Sequence, residues 1–187
     1  MNEKKVIYDK NTLEFVTVTL EFCALMEAAS KHTLFLFSDK AIKILSLLYL
    51  KATLLPATEE PDEEYDIEHF ITENTYEAIR YRTAALLGEY DSYLDTFHPD
   101  MEYSDTPVAV TISENLADIY QDLGDFAALF RQENEEVMTQ ALHACEENFR
   151  VHWGQKLLNV LRALHVVRYN EDISFNDDNN LTEEDTE

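Results

Sequence analysis

Thr111-Ile112-Ser113-Glu114-Asn115-Leu116-Ala117-Asp118-Ile119-Tyr120-Gln121-Asp122-Leu123-Gly124-Asp125-Phe126-Ala127-Ala128-Leu129-Phe130 decides the fold class. Apolar residues recur at Ile112, Leu116, Ile119, Leu123, Phe126 and Phe130, with spacings of 4, 3, 4, 3 and 4. That rhythm keeps one face of a helix apolar and makes a seam for packing against other helices. Thr111 followed by Glu114 is a capping-box pattern, so the helix starts near Ser113.

The same signals extend outward in both directions. A first helix is expected after Asn11, with Glu14 three residues on, running to about Lys31 with Phe15, Val18, Phe22, Leu25, Met26 and Ala29 inward. A second starts after Ser38 and stops before Pro56; it is apolar nearly all round, which predicts a central position. A third begins near Thr72 or Asn74 and is read past Gly88 to Phe97, with Asp100 to Val110 as a loop after it. The fifth and longest covers about Glu135 to Arg168. Its apolar stripe shifts by roughly a quarter-turn at Gly154, which predicts a bend or a change of packing partner there. The expected fold is all-α, a single-domain bundle of about five helices over 1–169 with helices two and five central, followed by a disordered acidic tail over 170–187.

Composition supports this class. Three glycines and four prolines in 187 residues are too few for a turn-rich β fold. The net charge is −24, and 15 of the acids lie in two segments without a basic residue, Glu59 to Glu68 and Asn170 to Glu187. The remaining 159 residues carry 23 acids and 14 bases, so the acidity belongs mainly to one loop and one tail. Without a basic cluster, nucleic acid and anionic membrane surfaces are poor partners. The apolar stretch Ala41 to Leu55 is too short to span a bilayer, and no signal-peptide run opens the chain. Cys23 and Cys145 fall in apolar helical patterns and read as reduced core thiols of a cytoplasmic protein.

Two constellations carry candidate chemistry. Asp91, Asp95, Asp118, Asp122 and Asp125 are spaced to put pairs of carboxylates on one helix face, the arrangement a divalent cation needs for phosphate-ester hydrolysis. Yet Asp118, Asp122 and Asp125 fall at about 180–240° from Leu116, opposite the seam, and read as a solvated outer face. No Glu-x-x-His pair, Gly-rich phosphate loop, Cys-x-x-Cys or zinc spacing is present. The second constellation is on helix five, where His152, Arg162 and His165 intrude on apolar arcs around Trp153. A buried cation must find partners, so these residues define either a hydrogen-bond network with Glu14 or Glu21 or a small polar pocket.

Gly88-Glu89-Tyr90-Asp91-Ser92-Tyr93, Ser113 to Leu123, and Trp153-Gly154-Gln155-Lys156-Leu157 with Leu161-Arg162-Ala163-Leu164-His165 resemble a family of small bacterial proteins catalogued only as a domain of unknown function. The resemblance covers roughly Asn11 to Tyr169. It implies a compact helical domain and no reaction, cofactor or site. The leading functional expectation is a non-enzymatic cytosolic interaction module, whose acidic loop and tail attract a basic protein partner or simply confer solubility. The alternative is a metal-dependent phosphohydrolase using the five aspartates. A homodimer through helix four or five is compatible with the seam.

Overall fold

The computed structural model describes residues 6–58, 68–95 and 106–170. Among the described residues, the chain forms a helical bundle of five helices, the fifth interrupted by a π turn, with one two-stranded hairpin added to it. Helix α1 (Lys10–Glu27) is capped by Asp9, whose side chain accepts from the Asn11 amide. The expected capping box at Asn11 does not form: Asn11 lies inside the helix with its amide bonded to Asp9, and Glu14 is bound to Lys51 at 2.5 Å. A 3-10 turn at Ala29–Lys31 leads into α2 (Leu34–Thr53), capped by Thr33. This helix therefore starts earlier than Ser38, which is buried inside it. Helix α3 (Glu73–Leu87) is capped by Thr72.

At Gly88 the structure departs from the expected long third helix. Gly88 adopts φ 55°, a left-handed backbone that ends α3. A 3-10 turn (Gly88–Asp91) and strand β1 (Ser92–Asp95) follow. β1 pairs antiparallel with β2 (Val108–Thr111), with Ser92 opposite Thr111 and Asp95 opposite Val108. Val108 to Val110 is thus strand, not loop. Three β-branched residues in Val108-Ala109-Val110-Thr111 favour this state, and the short apolar period could not distinguish it.

Helix α4 (Ile112–Phe130) begins directly after β2, and Thr111 caps it by accepting from the Glu114 amide. All six seam residues are buried. After Asn134 caps it, helix five runs as α5 (Glu135–Asn148), a π turn (Phe149–Trp153) and α6 (Gly154–Arg168). The expected irregularity at Gly154 is this π turn. A side chain at 154 would run into the Phe149 carbonyl and its ring, so only glycine fits beneath the wide turn.

The hub differs from expectation. α4 packs against α1, α3, α5 and α6, whereas α2 packs chiefly on α1 and α6. Leu36, Leu47 and Leu50 of α2 and Leu54 at its C-cap are 40–51% exposed, so it is a flanking helix. The core centres on Trp153, fully buried, with the Phe15 ring stacked at 6.3 Å and Phe149 at 4.7 Å. Residues 59–67, which hold most of the acidic loop, and 171–187 of the acidic tail lie outside the described residues.

Candidate functional site

The hairpin is held over the bundle by side chains from its first strand and the turn before it. Asp91 accepts from the Ser113 amide at 2.8 Å and from the Ser113 hydroxyl at 2.7 Å, at the start of α4. Anionic groups are favoured there, where helix amides are unpaired. Asn115 donates to the Tyr93 hydroxyl at 2.6 Å, and Asn159 of α6 donates to Asp95 at 3.1 Å. Burial pushes the Tyr93 hydroxyl up to about 12, with the nearby Asp95 charge adding to it.

These ties leave a cavity of about 320 Å³ between β1 and α6, within the size range of small-ligand pockets. Its apolar wall is Leu94, Ile112, Ala163, Val166 and Val167. Its polar groups include Glu89, Tyr90, Asp95, Asn159 and Arg162. Arg162 is exposed and makes no hydrogen bond or ion pair with any described residue. Polar direction, apolar contact area and one free cation together are equipment for binding. Nothing in the set is arranged as a nucleophile with a base.

The other residues singled out from the sequence do not join Arg162. The His165 ring packs against Tyr169 in a tilted contact at 4.6 Å, outside the cavity. His152 is hydrogen-bonded to Asp122 at 2.6 Å. Trp153 is in the core, its indole N–H donating to the Cys145 carbonyl at 3.2 Å. The expected partners Glu14 and Glu21 do not contact these groups; both cationic candidates at 162 and 165 are exposed and need no buried network.

The five aspartates are dispersed as well, and the expected solvated outer face is corrected. Asp125 and Asp95 are buried at 6% and 8% exposure. Asp125 accepts from the amides of Phe70 and Ile71 at 2.7 and 2.8 Å and bonds the His69 ring at 2.7 Å. Asp118 takes the Tyr76 hydroxyl at 2.8 Å and the Lys156 ammonium. Asp122 takes Asn148 at 2.9 Å besides His152. Burial holds the Asp122 carboxyl above its ordinary range, against the opposing pull of His152. Asp118, Asp122 and Asp125 thus fasten α4 to different neighbours, Asp91 ties the turn before β1 to the start of α4, and Asp95 ties β1 to α6. Angular position on a helix gave the right direction, but long partners on α3, α5 and α6 cover that direction. Among the described residues, no group of three or more His, Cys, Asp or Glu is set to hold a metal ion.

A polar hollow of about 380 Å³ at Thr58, His143, Glu146, Glu147 and Arg150 is internally matched. Thr58 donates to Glu146 at 2.9 Å and bonds His143 at 2.8 Å, and Arg150 pairs with both glutamates. Among the described residues, no helix is long and apolar enough to cross a membrane.

Tyr93, Asn159 and the hairpin were missed as site elements. Gly88 and the three β-branched residues in 108–111 were the available signals.

No curated protein matches this chain. The chain is similar to protein BF1032 from Bacteroides fragilis, known as a crystal structure. The two share 45% identity and a TM-score of 0.77 over 88% of this chain and 96% of that one. Residues 6–170 match the model of a family described as a domain of unknown function, DUF5063. That match takes in the bundle, the hairpin and the Arg162 cavity, and the chain belongs to this family.

Proposed function

We propose that this protein is a non-enzymatic cytosolic interaction module, and that it engages its partner at the cavity between β1 and α6. The observation that supports this reading is Arg162, an unpaired guanidinium standing in a partly apolar hollow. Conversely, each of the five aspartates has a described structural partner, which leaves the cavity better equipped to hold than to transform. The acidic loop and tail add a long-range field that favours a partner basic elsewhere on its surface. Photo-crosslinking tests the reading. A benzophenone amino acid at Leu94, which is 63% exposed at the cavity rim, should give a discrete adduct in cells that Arg162→Met abolishes. Diffuse labelling insensitive to Arg162→Met would refute it.

The metal-dependent phosphohydrolase remains the competing proposal. It needs Asp91, Asp95, Asp118, Asp122 and Asp125 to converge on a cation. Titrating Mg²⁺, Mn²⁺ and Ca²⁺ should leave the melting temperature at its ionic-strength control, and a saturable rise would favour the enzyme.

A further inference from the structure

We propose that the cavity seats the carboxyl-terminal end of an extended peptide from a partner protein, which adds along the open edge of β1 and presents its terminal carboxylate to Arg162. This rests on the binding reading above and specifies its ligand.

The cavity follows a strand edge. All four residues of β1, Ser92 to Asp95, border it, and none of Val108 to Thr111 of β2 does. A hollow under one face of a two-stranded ribbon would collect alternate residues from both strands. Four consecutive residues from one strand place it along that strand's outer side. Among the described residues the sheet has two strands, and none of them pairs with β1 on the edge away from β2. Such an edge is a template for an incoming extended chain, with main-chain hydrogen bonds for affinity and neighbouring pockets for alternate side chains. Helix α6 supplies the opposite wall, so the hollow lies between a strand and a helix.

Charge selects the end of the chain. Arg162 has no counter-ion among the described residues. Its planar fork matches a carboxylate through two parallel hydrogen bonds. Glu89 and Asp95 also border the cavity, and Asp95 is held by the Asn159 amide. The titratable lining is therefore two acids, two tyrosines and one arginine, which admits one negative group beside Arg162 and repels a strongly acidic peptide. A chain terminus supplies that single carboxylate without using a side chain. Its preceding side chains are then free to be apolar, as Leu94, Val166 and Val167 require. A four-residue strand is about 13 Å long, so the ladder is short and the charged anchor must set the affinity.

The test uses full-length protein labelled with ¹⁵N and a pool of acetylated hexapeptides. The pool has apolar residues at its last and third-last positions, and is made with free and with amidated C-termini. The free-acid pool should shift the amides of Ser92 to Asp95 and slow hydrogen exchange at the alternate ones that point away from β2. Amidation, or Arg162→Met, should weaken binding about tenfold or more, with Arg162→Lys intermediate. Equal binding of both pools, binding indifferent to Arg162, or shifts without protection of β1 would overturn the peptide-end assignment while leaving the cavity a binding site. No shift at any cavity residue would also overturn it, and only a missing Leu94 crosslink as well would remove the broader reading. A full-length variant with Glu171→Gln and Asp172→Asn should bind the pool as wild type does. Binding seen only in that variant would make this chain's own C-terminal segment the occupant, and the partner assignment would fall.

Discussion

Gly154 and the two cysteines are where single atoms decide an outcome. Gly154→Ala puts a methyl group against a backbone carbonyl that cannot yield without unwinding the π turn. We expect a loss of about 1–3 kcal/mol in urea unfolding, the range for overpacking a fitted site. The same change at an open helical position would be stabilising, so the sign reports the turn directly. Cys23 is desolvated, which pushes its thiol up to about 12, with the nearby Glu27 charge in the same direction. Cys145 is fully enclosed, and burial pushes its thiol upward too. Reactivity follows the thiolate, so both should resist Ellman's reagent at neutral pH until denaturant is added. Rapid native-state labelling of either would contradict their burial.

Among the elements, α4 is a hub: its apolar seam is buried and its acidic stripe fastens the neighbours on the other side. Asp118, Asp122 and Asp125 look alike in sequence but reach α6 with α3, the π turn with α5, and the His69–Ile71 segment. Asp125 receives two backbone amides, so Asp125→Ala removes the acceptor that holds the approach to α3. The expected cost is about 1–3 kcal/mol. Hydrogen exchange should rise first at Phe70 and Ile71, whereas a change spread evenly over the bundle would argue against a local latch. The hairpin illustrates the opposite kind of misreading. Tyr90, Tyr93, Leu94 and Phe97 continue a helical period beyond Gly88, and periodicity alone carried the third helix through the break. Gly88 at positive φ, the Asp91 contact to Ser113 and pairing with a strand thirteen or more residues away all favour the strand. Arg162 was legible as an intruder on an apolar arc. Its cavity was not, because the facing wall is that strand.

The whole molecule carries a defined response to acid. Lys51 holds the Glu14 carboxyl below its ordinary value of 4.5. Lys43 and Arg168 do the same for Asp39, and Arg80 for Glu77. Folded pKa values below the unfolded ones mean stabilisation that is complete above about pH 4.5 and lost as pH falls through the folded values. These pairs lie at the surface and stay partly exposed, so the individual effects are small and screened by salt. Asp122 has the reverse sign. Its folded pKa lies above 3.8, so the native state binds its proton more tightly, and this site loses stability as pH rises through that window. Asp122→Asn should therefore gain on wild type as pH rises above 3.8, until the folded pKa is passed. Urea unfolding across that window checks it; a constant difference would show that Asp122 does not titrate differently on folding.

The sequence by itself determined the helical class, the starts of α3, α4 and α5, the buried seam of α4 and the irregularity at Gly154. Each is a local consequence of side-chain period, capping chemistry or the absence of a Cβ, which act within a few residues. Tertiary structure decided that α4 and not α2 is the hub, that a hairpin follows Gly88, and that four supposed site residues part company around one helix. It also decided that the acids of α4 are fasteners and that Arg162 shares a cavity with β1. Those outcomes depend on which surfaces meet across long separations along the chain, where packing and paired charges override what each segment prefers alone.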